Sequence, residues 1–257
     1  MSRDAVHRVG GLHSVRAALR HGPDGLLRVW FDARRNDRRL RQLLEELAGQ
    51  GVVARPVDRA ELDRMVPGAN HQGVVAETRA PAAATEADLV ALLGGLDGPP
   101  FLLVLDGVQD PHNLGACLRS ADGAGIHAVI APKDRSVGLT PVACKVASGA
   151  AESVPFIQVT NLARTLRELR DTYGIWVVGT AGEGDRDLFD TDLTGPLALV
   201  MGGEEKGLRR LTREQCDVLV RLPMAGQVSS LNVSVAAGVA LYEAVRQRRR
   251  SQGRASA

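Results

Sequence analysis

The chain has 257 residues, 44% of them hydrophobic and 3% aromatic, and a formal net charge of +2. Its length suits one large domain or one small and one medium domain, and the sequence contains neither an apolar run of membrane-spanning length nor an N-terminal signal-peptide pattern. The rarity of aromatic side chains argues against a base-stacking platform, and three widely separated cysteines, Cys117, Cys144 and Cys216, indicate a reduced, cytoplasmic protein with neither a disulfide framework nor a zinc site.

The first 80 residues and the last 12 are basic, whereas the middle of the chain is acidic. Residues 1–80 carry a net charge of +4, residues 246–257 carry +5, and residues 81–245 carry −7. This distribution is typical of a chain whose ends meet an anionic partner. Charge runs also occur on solvated faces and tails, so the charge pattern alone leaves both interpretations open.

Residues 1–78 are predicted to form a small α/β unit. Leucines at positions 40, 43, 44 and 47 have the spacing of an amphipathic helix, which we expect to end at Gly51. Asp58, followed three residues later by Glu61, resembles a capping box at the start of a short helix. The other predicted elements are a helix at 12–19 and strands at 28–31, 52–57 and 73–77.

Residues 79–99 differ in composition from the segments on either side. They are rich in Ala, Gly and Pro and contain one short helical patch at 89–93. We interpret this segment as an interdomain linker.

From residue 101 onward, short apolar runs alternate with helical patterns. The runs, at 101–106, 128–131, 175–180, 197–202 and 218–222, are rich in Val, Leu and Ile, which predicts a parallel sheet covered on both faces. A last helix is expected to start near Ser230. Its apolar stripe comprises Leu231, Val235, Val239 and Tyr242.

The stretch 102–124, LLVLDGVQDPHNLGACLRSADGA, predicts a buried strand, a polar loop and a helix opened by Asn113. Arg119 lies about two turns inside that helix, where a guanidinium can hold a phosphate or a carboxylate. Other interpretations stay open, because Asn113 can act as a helix cap and Arg119 can pair with a surface acid. His112 has no partner at the spacing of metal ligands.

Three loops that follow apolar runs are rich in small residues, which lets a ligand approach their backbone closely. They read GTAGEGD, GGEEKGL and PMAGQVSSLN, and none of them is a GxGxxG or Walker A sequence. Each loop taken alone also fits an ordinary turn. In the same way, Glu204 fits an acid in the first turn of a helix, and Ser230 and Asn232 fit helix caps.

Taken together, the segments DPHNLGACLRSADGAG, LVMGGEEKGL and LPMAGQVSSLNVSVAAGVALYEAVRQR closely resemble the three signature motifs of SpoU-type RNA ribose 2′-O-methyltransferases, within the SPOUT superfamily. GLHSVRAAL, NHQGVVAE, PKDRS, CKVASGAAESVP and VTNLARTL are similar to segments of the RlmB group of 23S rRNA guanosine-2′-O-methyltransferases. The resemblance covers nearly the whole chain apart from the linker and the last few residues.

The resemblance implies an α/β fold in which a SPOUT-type parallel sheet carries a C-terminal trefoil knot, a rare exception to the rule that protein chains are unknotted. It implies three parts: an N-terminal RNA substrate-binding domain at 1–78, a linker at 79–99 and a catalytic domain at 100–257. It further implies S-adenosylmethionine as methyl donor, no metal, no membrane, a homodimer, and 23S rRNA or a large-subunit assembly intermediate as partner. In this group the methylated guanosine lies in the P-site loop of the peptidyl-transferase region.

The residues that match the family's motifs divide into two sets. Five take the catalytic positions: Asn113, Arg119, Glu204, Ser230 and Asn232. Four take the cofactor-binding positions: Thr180, Gly202, Leu222 and Leu231. The chain departs from the pattern at Glu205, where a small residue is common.

The resemblance makes Arg119 the candidate for activating the ribose 2′-hydroxyl. Because a free guanidinium stays protonated at neutral pH, we interpret its role as gripping the phosphate next to the target ribose and helping a phosphate oxygen accept the hydroxyl proton. Two alternatives remain at this point. One is a SpoU methyltransferase acting on a different rRNA or tRNA ribose, and the other is a non-catalytic RNA-binding factor in ribosome assembly. Intact motif residues argue against the second.

Overall fold

The computed structural model describes residues 6–20, 25–68, 70–79, 83–204 and 206–255. The chain divides into two compact units. The N-terminal unit comprises Met1–Ala82 and Ser148–Ser153, and the C-terminal unit comprises Ala83–Ala147 and Val154–Ala257.

The N-terminal unit is a four-stranded mixed sheet with helices. Its strands are β1 (Val6–Gly10), β2 (Leu26–Asp32), β3 (Ala54–Val57) and β4 (Val74–Arg79), in the order β1-β4-β2-β3. Its helices are α1 (Leu12–Arg20), α2 (Arg38–Gly49) and α3 (Arg59–Met65). Every element predicted in residues 1–78 is confirmed within a few residues, and β1 is an additional strand that the apolar pattern missed.

Helix α2 begins and ends for local reasons. The Asp37 side chain accepts hydrogen bonds from the backbone of Arg39 and Leu40, which satisfies two N–H groups that the helix leaves without a partner. Leu40, Leu43 and Leu47 are buried in the core of the unit, as their spacing predicted. At the other end, Gly51 adopts a φ of +77°, which favours glycine.

The predicted capping box at the start of α3 is wrong. Asp58 is the cap residue by backbone position, but within the described residues its side chain makes no capping hydrogen bond. A capping box does form at Thr85, whose hydroxyl accepts from the Asp88 N–H at 3.3 Å while Asp88 accepts from the Thr85 N–H at 2.7 Å. It opens α4 (Glu86–Gly94) inside the segment that composition assigned to a linker. Leu89 and Leu93 of this helix are buried in the core of the C-terminal unit.

The C-terminal unit contains a seven-stranded sheet in which all neighbouring strands are parallel. Its strands are β5 (Phe101–Asp106), β6 (Ala128–Pro132), β7 (Phe156–Val159), β8 (Trp176–Thr180), β9 (Arg186–Asp187), β10 (Leu197–Gly202) and β11 (Val218–Arg221). The order is β7-β6-β5-β10-β8-β11-β9. The five predicted strands and the parallel sheet are confirmed. The short strands β7 and β9 were not predicted.

Six α-helices of the described chain follow α4. They are α5 (Pro111–Ala124), α6 (Pro141–Ala147), α7 (Ala150–Ser153), α8 (Leu162–Tyr173), α9 (Arg210–Arg213) and α10 (Val233–Ala255). Of these, α7 lies in the N-terminal unit. No helix in the described ranges is long and apolar enough to cross a membrane.

Helix α10 begins three residues after the predicted start near Ser230 and turns a different face inward from the predicted apolar stripe. Its buried apolar side chains are small or aliphatic: Val233, Ala236, Ala237, Ala240, Leu241 and Ala244. One carboxylate, that of Glu243, is buried with them. Val235 and Tyr242, which belong to the predicted stripe, are 53% and 54% exposed. Two apolar faces therefore exist on this helix, and the one that carries Val235 and Tyr242 is largely exposed within the described chain.

Candidate active site

The candidate site lies where neighbouring parallel strands end. Asp106 ends β5, Gly202 ends β10 and Thr180 ends β8, and β10 lies between the other two strands. Because the carboxyl ends of parallel strands meet at one edge of a sheet, the loops after them share a crevice.

The loops after β8, β10 and β11 line a cleft of about 500 Å³. These are the three loops that the sequence singled out for their small residues. All four residues predicted to bind a cofactor, Thr180, Gly202, Leu222 and Leu231, line it. Three of the predicted catalytic residues line it as well: Glu204, Ser230 and Asn232.

Glycine is required in the loop after β10 because backbone segments pass very close to it. A Cβ on Gly202 would lie 2.2 Å from the carbonyl carbon of Gly207, and a Cβ on Gly203 would lie 2.6 Å from the Gly107 oxygen. Gly207 itself adopts a φ of +59°. The loop therefore folds back tightly on itself and against the end of β5. Because its glycines have no side chains, its backbone N–H and C=O groups are not covered by side chains of their own.

A chain of side-chain hydrogen bonds connects the three sequence motifs. The Asn232 amide donates to the Asn113 carbonyl oxygen at 3.0 Å, and the Asn113 amide donates to the Glu204 carboxylate. The carbonyl oxygen of Asn232 accepts from the backbone N–H of Ser234 at 2.9 Å and from its hydroxyl at 2.7 Å. Since an ionised carboxylate only accepts and a backbone N–H only donates, the two ends fix the orientation of both amides.

This arrangement corrects the role expected for Asn113 at the start of a helix. Helix α5 begins at Pro111, and its cap is Asp110, whose carboxylate accepts from the His112 N–H at 2.9 Å. Proline suits the first helical position because its missing N–H would have no partner there. Asn113 is instead a buried residue of the first turn, and its side chain is engaged by the other two motifs.

A second cavity of about 470 Å³ adjoins the cleft and shares Gly203, Glu204, Lys206 and Gly207 with it. Asn113 lines this second cavity. The floor of this cavity holds an ion pair that was not predicted from the sequence. The buried Asp106 carboxylate accepts there from the backbone N–H of Arg209 at 2.8 Å and from its Nε at 2.5 Å. The only sequence signal was a carboxylate at the end of a wholly apolar strand.

Arg119 does not join the other four predicted catalytic residues. It is exposed on α5, whereas Asn113, Leu114, Cys117, Leu118 and Ala121 of that helix are buried. Among the described residues that line the two cavities, Arg119 does not occur. A single chain therefore presents Asn113, Glu204, Ser230 and Asn232 at the site, with Arg119 on a different face.

Burial raises the pKa of the Cys117 thiol to about 12, and the negative charge of Glu204 adds to the rise. The thiol consequently stays protonated at neutral pH and is a poor nucleophile. Within the described part of the chain, no cluster of three His, Cys, Asp or Glu side chains could hold a metal ion.

Two sequence families match the chain. The SpoU rRNA Methylase family matches residues 100–242, and a second family, described as RNA 2′-O ribose methyltransferase substrate binding, matches residues 8–84. A protein of Ralstonia nicotianae named 23S rRNA (guanosine-2′-O-)-methyltransferase RlmB is 58% identical over 93% of this chain and 94% of its own length. The RlmB of Escherichia coli K12 is 57% identical over 93% of this chain and 97% of its own length.

Solved structures of methyltransferases also match the chain. The SpoU methyltransferase AviRb from Streptomyces viridochromogenes, in complex with the cofactor AdoMet, matches with a TM-score of 0.73 and 31% identity, over 94% of this chain and 89% of its own. An AdoMet-bound rRNA methyltransferase from Sinorhizobium meliloti also matches with a TM-score of 0.73, at 25% identity over 94% of this chain and 87% of its own.

Proposed function

The chain belongs to the SpoU rRNA methylase family, and on that premise we propose that it transfers the methyl group of S-adenosylmethionine to the 2′-oxygen of a guanosine ribose in 23S ribosomal RNA. The observation that carries the proposal is the hydrogen-bonded chain Asn232–Asn113–Glu204 beside a cleft made by the three small-residue loops. The finer assignment, a guanosine in the P-site loop, rests on the resemblance of the intervening segments to the RlmB group.

The cleft fits S-adenosylmethionine in size and in chemistry. Its volume of about 500 Å³ lies in the range of roughly 300–1,000 Å³ typical of small-molecule sites. Leu222, Met224 and Leu231 offer apolar surface for the adenine ring, while the bare backbone around Gly202 offers hydrogen-bonding groups. When bound, S-adenosylmethionine supplies an electrophilic methyl group on its sulfonium sulfur.

Asn113, Asn232 and Glu204 would hold the target ribose in line with the reactive centre. Correct alignment of two reacting groups provides a large part of the acceleration in such transfers. Because the hydrogen bonds at both ends fix the two amides, these side chains need little reorganisation when the ribose binds. Ser230, which lines the same cleft, adds a hydroxyl that can donate to the RNA backbone.

The 2′-hydroxyl must lose its proton as the new oxygen–carbon bond forms. A guanidinium stays charged at neutral pH, so Arg119 is better suited to holding a phosphate than to acting as a base. We propose that Arg119 grips the phosphate next to the target ribose and that an oxygen of this phosphate accepts the proton.

The exposed position of Arg119 supports a homodimer in which this residue serves the partner's site. Helices α5 and α10 pack against each other. The Tyr242 hydroxyl lies so close to Gly123 that a Cβ at Gly123 would be 2.8 Å from it. Arg119 and the largely exposed stripe of Val235 and Tyr242 thus lie on adjoining helices. A second copy seated on this surface by two-fold symmetry would bury the stripe and bring Arg119 to the partner's cleft.

Mixing subunits tests this arrangement. If the site draws Arg119 from one chain and Asn232 from the other, mixed dimers of Arg119→Ala and Asn232→Ala subunits regain about one intact site in two. If mixing restores no methylation, both residues come from the same chain, and the proposed exchange of Arg119 is wrong.

Three further assignments complete the proposal. The charge of +4 on residues 1–80 favours a role for the N-terminal domain in binding RNA, either as naked 23S rRNA or in an assembly intermediate, and the reaction would take place in the cytoplasm. The trefoil knot remains a prediction. It is supported by the path of the chain at its C-terminal end. Strand β11 lies on the far side of β8 from β10, and the chain then returns across the sheet to α10, which contacts α5 and β10.

The activity is tested with the purified chain, S-adenosylmethionine carrying a labelled methyl group, and unmodified 23S rRNA. We expect label in one guanosine, at the ribose. Alkaline hydrolysis distinguishes ribose from base methylation, because a 2′-O-methyl group blocks cleavage at that linkage. Label in transfer RNA alone, or in a base, would contradict the proposal.

A further inference from the structure

Arg135, in the segment PKDRS, has no role in the mechanism above, although it lines the second cavity together with Asn113 and Glu204. Resting on the proposed function, we propose that this second cavity receives the target base and that Arg135 and Asp110 make it selective for guanine. Arg135 would read the O6 and N7 edge of the base, and Asp110 its N1–H and 2-amino edge.

The position of the cavity supports a nucleoside site. It shares Gly203, Glu204, Lys206 and Gly207 with the cleft assigned to S-adenosylmethionine, so a nucleotide whose ribose contacts Asn113 would place its base beyond these residues. Its volume of about 470 Å³ again falls in the range of small-molecule sites. Enzymes that do chemistry on a base draw its nucleotide out of the stack into such a pocket, and we extend this to a nucleotide whose ribose must reach the methyl donor.

The loop that carries Arg135 is fixed in place. The Val137 N–H and the Ser136 hydroxyl both donate to the carbonyl oxygen of Val108, at 2.9 and 3.1 Å. Arg135 itself adopts a φ of +58°, a conformation that is uncommon for a residue with a side chain. Such backbone conformations occur preferentially at ligand sites and persist only where neighbouring contacts impose them.

The two arginines at the cavity differ in what they can offer a ligand. Arg209 is engaged by the buried carboxylate of Asp106. Arg135 is exposed, and within the described part of the chain it has no carboxylate within 4.0 Å. Its guanidinium is therefore available to a ligand, whereas Arg209 helps to hold the loop after β10 against the end of β5.

The mixed charge of the cavity favours guanine over other occupants. Asp110 and Glu204 face the same space as Arg135, and their negative charge would repel a phosphate in this cavity. Guanine needs both kinds of group, since arginine pairs with its O6 and N7 acceptors and a carboxylate pairs with its N1–H and 2-amino donors. Adenine would turn its 6-amino donor toward the guanidinium, which has only donors.

The test uses the full-length chain, S-adenosylmethionine and 23S rRNA transcripts that carry guanine or adenine at the position methylated by the unaltered protein. In Arg135→Gly the arginine is removed, and glycine suits a φ of +58°, so the fold is preserved. We expect this variant to lose roughly tenfold to a hundredfold of its rate on guanine while its residual rate on adenine is unchanged. Arg135→Lys, which keeps the charge but not the two-pronged geometry, should recover only part of the loss.

Lys133→Ala is the matched control, because Lys133 is an exposed cation of the same loop that is absent from the described lining of the cavity. It should keep both the rate and the guanine preference. Asp110→Asn preserves the helix cap and should reduce the rate on guanine more than on hypoxanthine, because the asparagine oxygen can still accept from N1–H but its amide cannot accept from the 2-amino group that guanine alone carries.

The outcomes separate this inference from the proposed function. If the unaltered chain methylates no guanosine of 23S rRNA, the proposed function itself fails. If it does, and Arg135→Gly keeps its preference for guanine within threefold, the base-reading role is wrong. Equal losses on guanine and adenine would show that Arg135 holds the RNA backbone, and would likewise overturn the inference.

Discussion

Replacing Gly202 with alanine should disrupt the cofactor cleft through a purely steric effect. The added Cβ would lie 2.2 Å from the Gly207 carbonyl carbon and 2.4 Å from the Leu208 nitrogen, whereas ordinary contacts begin at 3.4 Å. Both neighbours are backbone atoms of the loop that lines the cleft, so the loop must move by about 1 Å. Overpacking of this kind typically costs about 1–3 kcal/mol.

In a chain of this length, that cost corresponds to a fall in Tm of roughly 2–10 °C. If the whole of this cost must be reversed when the cofactor binds, S-adenosylmethionine should bind about fivefold to 150-fold more weakly, since about 1.4 kcal/mol is a factor of ten. Thermal unfolding and calorimetric titration of S-adenosylmethionine measure the two effects.

Gly195→Ala is the control, because a Cβ there meets nothing within 4 Å and its φ is not in the left-handed region. It should change neither Tm nor affinity. If Gly202→Ala keeps its Tm within 1 °C and its affinity within twofold, the close approach does not hold the cleft in shape, and the steric argument is refuted.

Three other predictions follow from the described contacts. Arg119→Ala should lower single-turnover methylation at least a hundredfold. The Kd for S-adenosylmethionine should change less than threefold, because Arg119 lies outside the cleft. Activity within tenfold of the parent would remove its catalytic role. A shortened chain that begins at residue 83 keeps Leu89 and Leu93, which pack in the core of the C-terminal unit. It should still bind S-adenosylmethionine but bind 23S rRNA more weakly. Unchanged RNA affinity would show that the N-terminal domain does not contribute to RNA binding. Arg246 donates to buried Glu243 and lowers the pKa of its carboxyl from the usual 4.5. This ion pair therefore stabilises the fold above pH 4.5, and its contribution is lost as the pH falls through the lowered pKa. The free energy of unfolding of Glu243→Gln should fall less steeply with acid than that of the parent, and parallel curves of this free energy against pH would contradict the assignment.

Much of the fold could be predicted from the sequence because continuous apolar runs and helical periodicity are local signals. The five main strands of the parallel sheet and helix α2 are examples, and the structure confirms them. Short elements lack that signal. Strand β9 has two residues, Arg186 and Asp187, and only its pairing with β11 defines it.

Helix α10 shows why pattern alone could not decide which face is buried. The stripe of Leu231, Val235, Val239 and Tyr242 is apolar and correctly spaced, yet the face that packs inward is rich in alanine. Small side chains allow close approach of neighbouring elements, a preference that hydrophobicity does not reveal. Leu89 and Leu93 lay in a segment whose composition resembled a linker, but they pack in the core.

The site could be predicted residue by residue only through the resemblance to a family. Motif positions identified the four cofactor-binding candidates, and the structure brings them to one cleft. The partners of those residues depend on tertiary contacts between distant segments. The hydrogen bond from Asn113 to Glu204 spans 91 positions and the ion pair of Asp106 with Arg209 spans 103, so neither could be read from spacing.

The most direct test of the proposed function is a map of ribose methylation in ribosomal RNA from cells that contain this protein and from cells that lack it. We predict that one 2′-O-methylguanosine disappears from 23S rRNA in the cells that lack the protein, while other modified positions remain. Restoring the unaltered gene should restore the mark, and restoring Asn113→Ala should not. An unchanged 23S rRNA map, or loss of a mark only from transfer RNA, would contradict the assignment.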